Sequence, residues 1–155
     1  MADQIDTKPT QTEGPLVAEL HLAEFLLQAR KGKYGNYFVF LNHNHPDKTL
    51  RLFRPQMMKL LNALPRAIAT ARTMEEAGVE GGASQDVALI SKRDKSDIML
   101  YVQMFEGRAF IFLRLFIEKE DGVRQPCTYG VQFTPLDSVE TLTNFVNKHR
   151  GTPEV

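Results

Sequence analysis

The run GRAFIFLRLFI, at residues 107–117, is the strongest strand signal in the chain. Side chains of a β-strand alternate between two faces, so the run separates into two sets by parity. The odd-numbered set, from Ala109 to Ile117, is wholly apolar and predicts a core face. The even-numbered set contains only arginine and phenylalanine: Arg108, Phe110, Phe112, Arg114 and Phe116. This second face needs an explanation other than ordinary packing against a helix.

The residues around this run predict four strands followed by a helix. Strand-like segments lie at 87–93, 98–105, 108–119 and 128–133, and Glu106-Gly107 is typical of a tight turn. Thr134-Pro135 suits a helix start, and apolar residues recur at spacings of three and four through 136–146. We expect this helix to cover the aliphatic face. The strand before the turn would then add Tyr101, Gln103 and Phe105 to the face with the arginines.

The first part of the chain repeats this order in a weaker form. Strands are predicted at 16–22, 25–31, 36–42 and 49–53, with a helix over 17–30 as the alternative to the first two. Pro55 opens a helix, which Pro65 should kink or divide after Leu64. We therefore predict an α+β fold of two β-β-β-β-α repeats, whose antiparallel sheets each pack on a helix and form an intramolecular pseudo-dimer. The expected divisions are a disordered tail at 1–14, a diverged first repeat at 15–72, a linker at 73–86 and a second repeat at 87–150.

Composition excludes several classes of protein. The chain has 155 residues, 43% of them hydrophobic, and no apolar run approaches the roughly 18 residues that a membrane span requires. The N-terminal residues show no secretory or mitochondrial pattern, and Cys127 is the only cysteine. We expect an intracellular protein without internal disulfides or a membrane association, located in the nucleus if its source is eukaryotic.

The charges are balanced overall but unevenly distributed. Residues 1–24 contain five acidic residues and one basic residue, so 14 of the 19 acidic and 18 of the 19 basic residues lie beyond them. Clusters occur at Arg30-Lys31-Lys33 and at Lys92-Arg93-Lys95. Such clusters can follow a phosphate chain, and they are equally compatible with an ordinary solvated surface.

Two explanations fit the face of arginine and phenylalanine. Exposed rings stack on the bases of single-stranded nucleic acid, while guanidinium groups pair with phosphate. Alternatively, the face is a second core, packed on the other repeat or on another subunit, with its arginines paired to carboxylates such as Glu106 or Glu118. The sequence leaves both explanations open.

Residues 101–142 resemble the C-terminal domain of the transcriptional coactivator family called positive cofactor four. The resemblance covers just over a quarter of the chain and depends on collinear spacing, without a gap, at Phe105, Gly107, Arg108, Ile111, Leu113, Arg114, Phe116, Gly122, Pro126, Gly130, Val131, Phe133, Pro135 and Leu142. It implies a β4α unit that pairs with a second copy to form a platform for single-stranded DNA. The related Pur-type and Whirly-type proteins use similar units, and Pur-type chains carry them in tandem.

Carried over by position, the resemblance implies strand contacts by Phe105, Arg108 and Arg114, with Gln103 where a basic contact residue is usual. Several family positions differ in this chain: the turn lysine is Glu106, the lysine before the proline is Gln125 beside Arg124, and a basic pair is Thr128-Tyr129. The helix tryptophan is replaced by Val139. This loss of positive charge implies weaker and less salt-dependent binding, or a different partner.

Together these features predict a protein that binds single-stranded DNA or RNA in transcription or replication, and no enzyme. The alternative is an interaction or scaffold module of the same fold. We expect no metal or other cofactor, since His43-x-His45 lacks a strong third ligand and Cys127 lacks a placed histidine. Expected partners are the nucleic acid, the transcription machinery and further copies of the chain. The predicted contact residues are Tyr101, Gln103, Phe105, Arg108, Phe110, Phe112, Arg114, Phe116, Arg124, Arg30, Lys31 and Lys33.

Overall fold

The computed structural model describes residues 14–22, 25–33, 35–43, 45–133 and 137–149, which form eight strands and two helices. Their class is α+β, as predicted, with two antiparallel sheets in the orders β1-β2-β3-β4 and β5-β6-β7-β8. In chain order, the elements are β1 (Leu16–His21), β2 (Phe25–Gly32), β3 (Gly35–Asn42), β4 (His45–Leu52), α1 (Arg54–Ala77), β5 (Ser84–Lys92), β6 (Ser96–Phe105), β7 (Arg108–Glu118), β8 (Arg124–Phe133) and α2 (Asp137–His149).

The predicted strands are all present, with shifted ends. β1 and β2 pair as an antiparallel hairpin, so the alternative of a helix over 17–30 is wrong. β8 begins at Arg124, before the predicted start at residue 128, because Arg124 and Gln125 pair with Glu118 and Ile117 of β7. The predicted tail, apart from Gly14, and the predicted helix start at Thr134-Pro135 lie outside the described residues.

The segment predicted as a linker, 73–86, is shorter in the structure. α1 continues to Ala77 without a division at Pro65 and ends at Gly78, whose left-handed backbone (φ 65°) forms the C-cap. β5 already begins at Ser84. The helix continues because its apolar side does: Ala67, Ala71 and Met74 are all buried.

The helix that covers the second sheet is not the one that follows it. α1 packs against β5, β6 and β7 as well as against β3 and β4, whereas α2 contacts β1. We expected the helix that follows β8 to cover the aliphatic face of residues 109–117, and this expectation is wrong. The two halves instead share one hydrophobic cluster, in which the rings of Phe25, Phe40 and Phe133 contact one another at centroid distances of 5.4–6.3 Å. A unit of roughly 60 residues has little core of its own, which favours such sharing.

The parity predicted for β7 is confirmed in the middle of the strand but not at its end, where Ile117 of the predicted core face is 38% exposed. Ile111 and Leu113 are 0% exposed and belong to the shared core. Of the even-numbered residues, Arg108 is exposed and the four from Phe110 to Phe116 are half-buried. Within the described ranges, neither helix is long and apolar enough to cross a lipid bilayer.

Candidate nucleic-acid interface

The register of β6 on β7 gathers the predicted side chains on one side of the second sheet. Phe105 lies opposite Arg108, Gln103 opposite Phe110, and Tyr101 opposite Phe112. Directly paired residues of an antiparallel sheet point to the same face. We call this surface the Arg/Phe face: the even-numbered side chains of β7 from Arg108 to Phe116, with Tyr101, Gln103 and Phe105 of β6 and Arg124 of β8.

A two-residue turn fixes this register. Glu106 and Gly107 both have positive φ values, 53° and 82°, as a type I′ hairpin requires. The turn closes directly on the pair Phe105 and Arg108, and it leaves Phe105 61% exposed. The ring of Phe105 lies 6.4 Å from that of Phe110, tilted by 56°. This end of the Arg/Phe face therefore offers accessible aromatic surface.

Tyr101 occupies the centre of the face but is not itself accessible. Its ring stacks on Phe112 at 5.4 Å and 25°, meets the edge of Phe116 at 5.7 Å, and is only 6% exposed. Burial raises the pKa of the Tyr101 hydroxyl, the charge of Arg114 partly offsets this, and Asp86 raises it further. The geometry makes Tyr101 a support for Phe112 rather than a surface on which a base can stack.

Two of the arginines on this face lie close to phenylalanine rings. The guanidinium carbon of Arg108 lies 5.9 Å from the Phe110 ring centroid, and that of Arg114 lies 5.2 Å from the Phe112 centroid. Both distances fall within the range of a cation–π contact. At two places along β7 a positive charge thus lies over a flat apolar ring, which brings together the groups that can contact a phosphate and a base.

Arg124 joins the Arg/Phe face at its other end, but its charge is compensated. Its guanidinium lies 4.5 Å from the Phe116 centroid and donates to an Asp97 carboxylate oxygen at 2.7 Å. The Asp97 side chain is 11% exposed and the Arg124 side chain 42%. The pair holds Phe116 in place, so the prediction of Arg124 as a phosphate contact is weakened by a partner that sequence reasoning missed. The signal was available, since Asp97 shares the parity of Tyr101 on β6.

Gly130 is a second contributor whose role the sequence prediction did not specify. It pairs with Arg114 across β7 and β8, and a Cβ placed on it would lie 2.8 Å from the Leu113 carbonyl oxygen and 3.1 Å from the Arg114 Cβ. A side chain at this position would therefore displace Arg114. Its match in the family pattern was the only signal for it.

The remaining predicted residues, Arg30, Lys31 and Lys33, are not part of the Arg/Phe face. They lie on β2 and the turn after it, in the first sheet. Arg30 donates to the Gly14 carbonyl at 2.6 Å and to the Gln28 side-chain oxygen at 2.9 Å, so it holds the incoming chain against β2. Lys31 and Lys33 are exposed and line a cavity at the end of this sheet.

Comparisons with known proteins add no family. No model of a protein family matches this sequence, and a search of curated proteins found no match either.

Proposed function

We propose that this protein binds single-stranded nucleic acid, with DNA as the expected ligand, through the Arg/Phe face. The observation that carries the proposal is the paired arrangement of rings and guanidinium groups along β7. Phe110 and Phe112 are half-buried, Phe105 is 61% exposed, and Arg108 and Arg114 lie over two of these rings. The proposal includes no catalysis and no cofactor.

The fold proposed for this function is an intramolecular pseudo-dimer of two β4α repeats. Two hairpins support the repeat: Gly32 pairs with Gly35 across two intervening residues, and Phe105 pairs with Arg108 in the same way. Counting from these pairs, Tyr37 corresponds to Phe110, and Val39 corresponds to Phe112. The packing of α1 on both sheets supports the idea that neither repeat is complete alone.

The chemistry of the face favours a single strand over a duplex. Alternate residues of a strand are about 6.7 Å apart, so successive rings on β7 can each meet a different base of an extended strand. Each stacked base contributes about 1–3 kcal/mol with little dependence on its identity. A duplex hides the faces of its bases and would gain only phosphate contacts from this surface.

The charges also set the expected salt dependence. Among the described residues, Arg124 is the arginine of the face that is paired with a carboxylate, which leaves Arg108 and Arg114 as the phosphate contacts. Two phosphate contacts on a single strand give a slope of log K against log salt of about −1.4. The slope is shallow because this chain lacks the lysines that the family pattern has at the turn and before the proline.

The test is a titration of labelled oligo(dT) of about 20 nucleotides at low salt. We expect the wild type to bind the single strand more tightly than a duplex of the same length, and the variant Phe110→Ala/Phe112→Ala/Arg114→Ala to lose binding. The variant Lys59→Ala/Arg72→Ala is the matched control, because both side chains are exposed on α1, which packs on the opposite side of the sheet, and this variant should bind nearly as well. Absence of binding by the wild type, or equal binding by a folded triple variant, would refute the proposal.

The alternative is an interaction module whose Arg/Phe face is buried between subunits. The exposed Phe105 and the compensated Arg124 favour it. Light scattering combined with solvent labelling distinguishes the two, because a monomer with an accessible aromatic face excludes the alternative. A role in transcription or replication, the transcription machinery as a partner and a nuclear location are proposed on the family resemblance alone.

A further inference from the structure

A second site candidate lies in the first sheet, away from the Arg/Phe face. A cavity of about 660 Å³ opens where the turn between β2 and β3 approaches the start of α1. We call it the basic cavity and define it by Lys31, Lys33, Arg51, Arg54, Tyr37 and Phe53. Its volume falls within the range of about 300–1,000 Å³ that is usual for small-ligand sites.

The described lining of the basic cavity is rich in positively charged residues. Four of its lining residues are lysine or arginine, and none of the described residues that line it is acidic. Arg54 reaches across to the turn, since its Nη1 atom lies 4.0 Å from the position of a Cβ on Gly35. Arg54 also begins α1, whose first turn contains no acidic residue. The partial positive charge of this helix N-terminus therefore adds to the side-chain charges.

The cavity also has an aromatic wall. Phe53 is 43% exposed, and its ring lies 5.8 Å from that of Tyr37. The guanidinium of Arg51 lies 5.4 Å from the Tyr37 centroid, so an arginine plane and the accessible Phe53 ring flank the same space. The Tyr37 hydroxyl accepts a hydrogen bond from the Gly14 amide at 2.7 Å, which fixes the ring beneath them. Flat groups in these positions suit a planar heterocycle.

We propose that the basic cavity binds a phosphorylated nucleotide, with the phosphate held by Lys31, Lys33 and Arg54 and the base against Phe53. Inorganic phosphate would contact only the basic side chains of this site, and a nucleoside would contact only its aromatic wall. The phosphomonoester beside a base has two possible sources, a free nucleotide and the 5′-phosphorylated end of a strand. This proposal does not depend on the function proposed for the Arg/Phe face, because the two sites share no residue.

The test is calorimetric titration of the full chain with thymidine 5′-monophosphate, thymidine and inorganic phosphate. We expect the nucleotide to bind at least tenfold more tightly than either fragment. Lys31→Gln/Arg54→Gln should weaken nucleotide binding at least tenfold, whereas the matched surface variant Lys92→Gln/Arg93→Gln should leave it unchanged. Phe53→Leu, which keeps apolar bulk at the start of α1, should abolish the preference for nucleotide over phosphate. Equal affinity for nucleotide and phosphate in the wild type, or no effect of the Lys31/Arg54 variant, would overturn the proposal.

Two further arms separate the sources and the sites. A 5′-phosphorylated tetranucleotide that binds tenfold more tightly than its 5′-hydroxyl counterpart assigns the cavity to a strand end, and equal binding of the two assigns it to the free nucleotide. The variant Phe110→Ala/Phe112→Ala/Arg114→Ala should keep full nucleotide affinity. Loss of nucleotide binding in that variant would place the nucleotide on the Arg/Phe face and overturn the cavity proposal. Nucleotide binding without oligo(dT) binding would overturn only the function proposed for the face.

Discussion

Truncation of two adjacent residues of β7 should separate the stability of the protein from its affinity for nucleic acid. Leu113 is 0% exposed and pairs with Leu100 and Val131, which are 0% and 4% exposed. Leu113→Ala should therefore lower the free energy of unfolding by about 2–5 kcal/mol. For a chain of this length, that corresponds to a fall of roughly 4–20 °C in Tm.

Phe112 is half-buried on the opposite face, where it stacks on Tyr101 and lies beside Arg114. Phe112→Ala removes one aromatic pair and one cation–π contact, together worth about 1–2.5 kcal/mol of stability, and in addition it removes the apolar area that the half-buried ring covers. It also removes a stacking surface worth about 1–3 kcal/mol, so the affinity for oligo(dT) should fall roughly 5- to 150-fold. Leu113→Ala should leave the affinity of the folded protein within about twofold of wild type.

Urea unfolding and oligo(dT) titration on the same samples measure both quantities. Phe112→Leu is the matched control, because it keeps apolar volume and removes only the ring. It should recover much of the stability but little of the affinity. If Leu113→Ala weakened binding as strongly as Phe112→Ala did, under conditions where both are folded, the assignment of the two faces would be refuted.

Three further outcomes follow from single contacts. Burial raises the pKa of Tyr101, so at pH values above the ordinary tyrosine value of about 10 the unfolded chain releases this proton while the folded protein retains it. The free energy of unfolding should therefore fall as pH rises above 10. Urea unfolding of Tyr101→Phe should show a smaller fall, and identical pH dependence in the two proteins would contradict this. Arg124→Ala leaves the Asp97 carboxylate, which is 11% exposed, without this partner, and should lower the free energy of unfolding by about 1–3 kcal/mol. Asp97→Asn leaves a hydrated Arg124 and should lower it by less than about 1 kcal/mol. Equal losses in denaturant titrations would show that burial of Asp97 is unimportant. Glu106→Asn places a residue that tolerates positive φ in the hairpin turn and should stabilise the protein by about 0.5–1 kcal/mol, an account that a lowered Tm would rule out.

The strands were predictable because each carries a local signal. The alternation of residues 108–117 gives the faces of β7 directly, and Glu106-Gly107 gives the register of β6 on β7. The helix ends were less predictable: the polar composition of 73–77 suggested a linker, while the burial of Met74 keeps α1 helical through that segment. Propensity is local, and packing against a distant sheet overrides it.

The sequence could not show which helix covers the second sheet. The apolar periodicity of α1 identifies the buried side of the helix but not the sheet that packs against it. For the Arg/Phe face, parity was sufficient to group the residues of β6 and β7. It could not show that Tyr101 is buried beneath its neighbours, nor that Asp97 compensates Arg124, since both depend on three-dimensional contacts. For the same reason, the sequence could not show that Lys31 and Lys33 lie in the first sheet, away from the Arg/Phe face.

The two sheets differ at corresponding positions, which sets the expected number of bound strands. In the proposed repeat, Arg108 and Arg114 correspond to Gly35 and Leu41, and the Tyr37 ring that corresponds to Phe110 is 7% exposed. At these corresponding positions, the first sheet therefore lacks the accessible ring and the two arginines that β7 carries. Sedimentation of the chain with saturating oligo(dT) should show one strand per chain, or fewer if copies of the chain associate. Two strands bound per chain would require a second strand-binding face, and the described residues at these corresponding positions of the first sheet do not supply one.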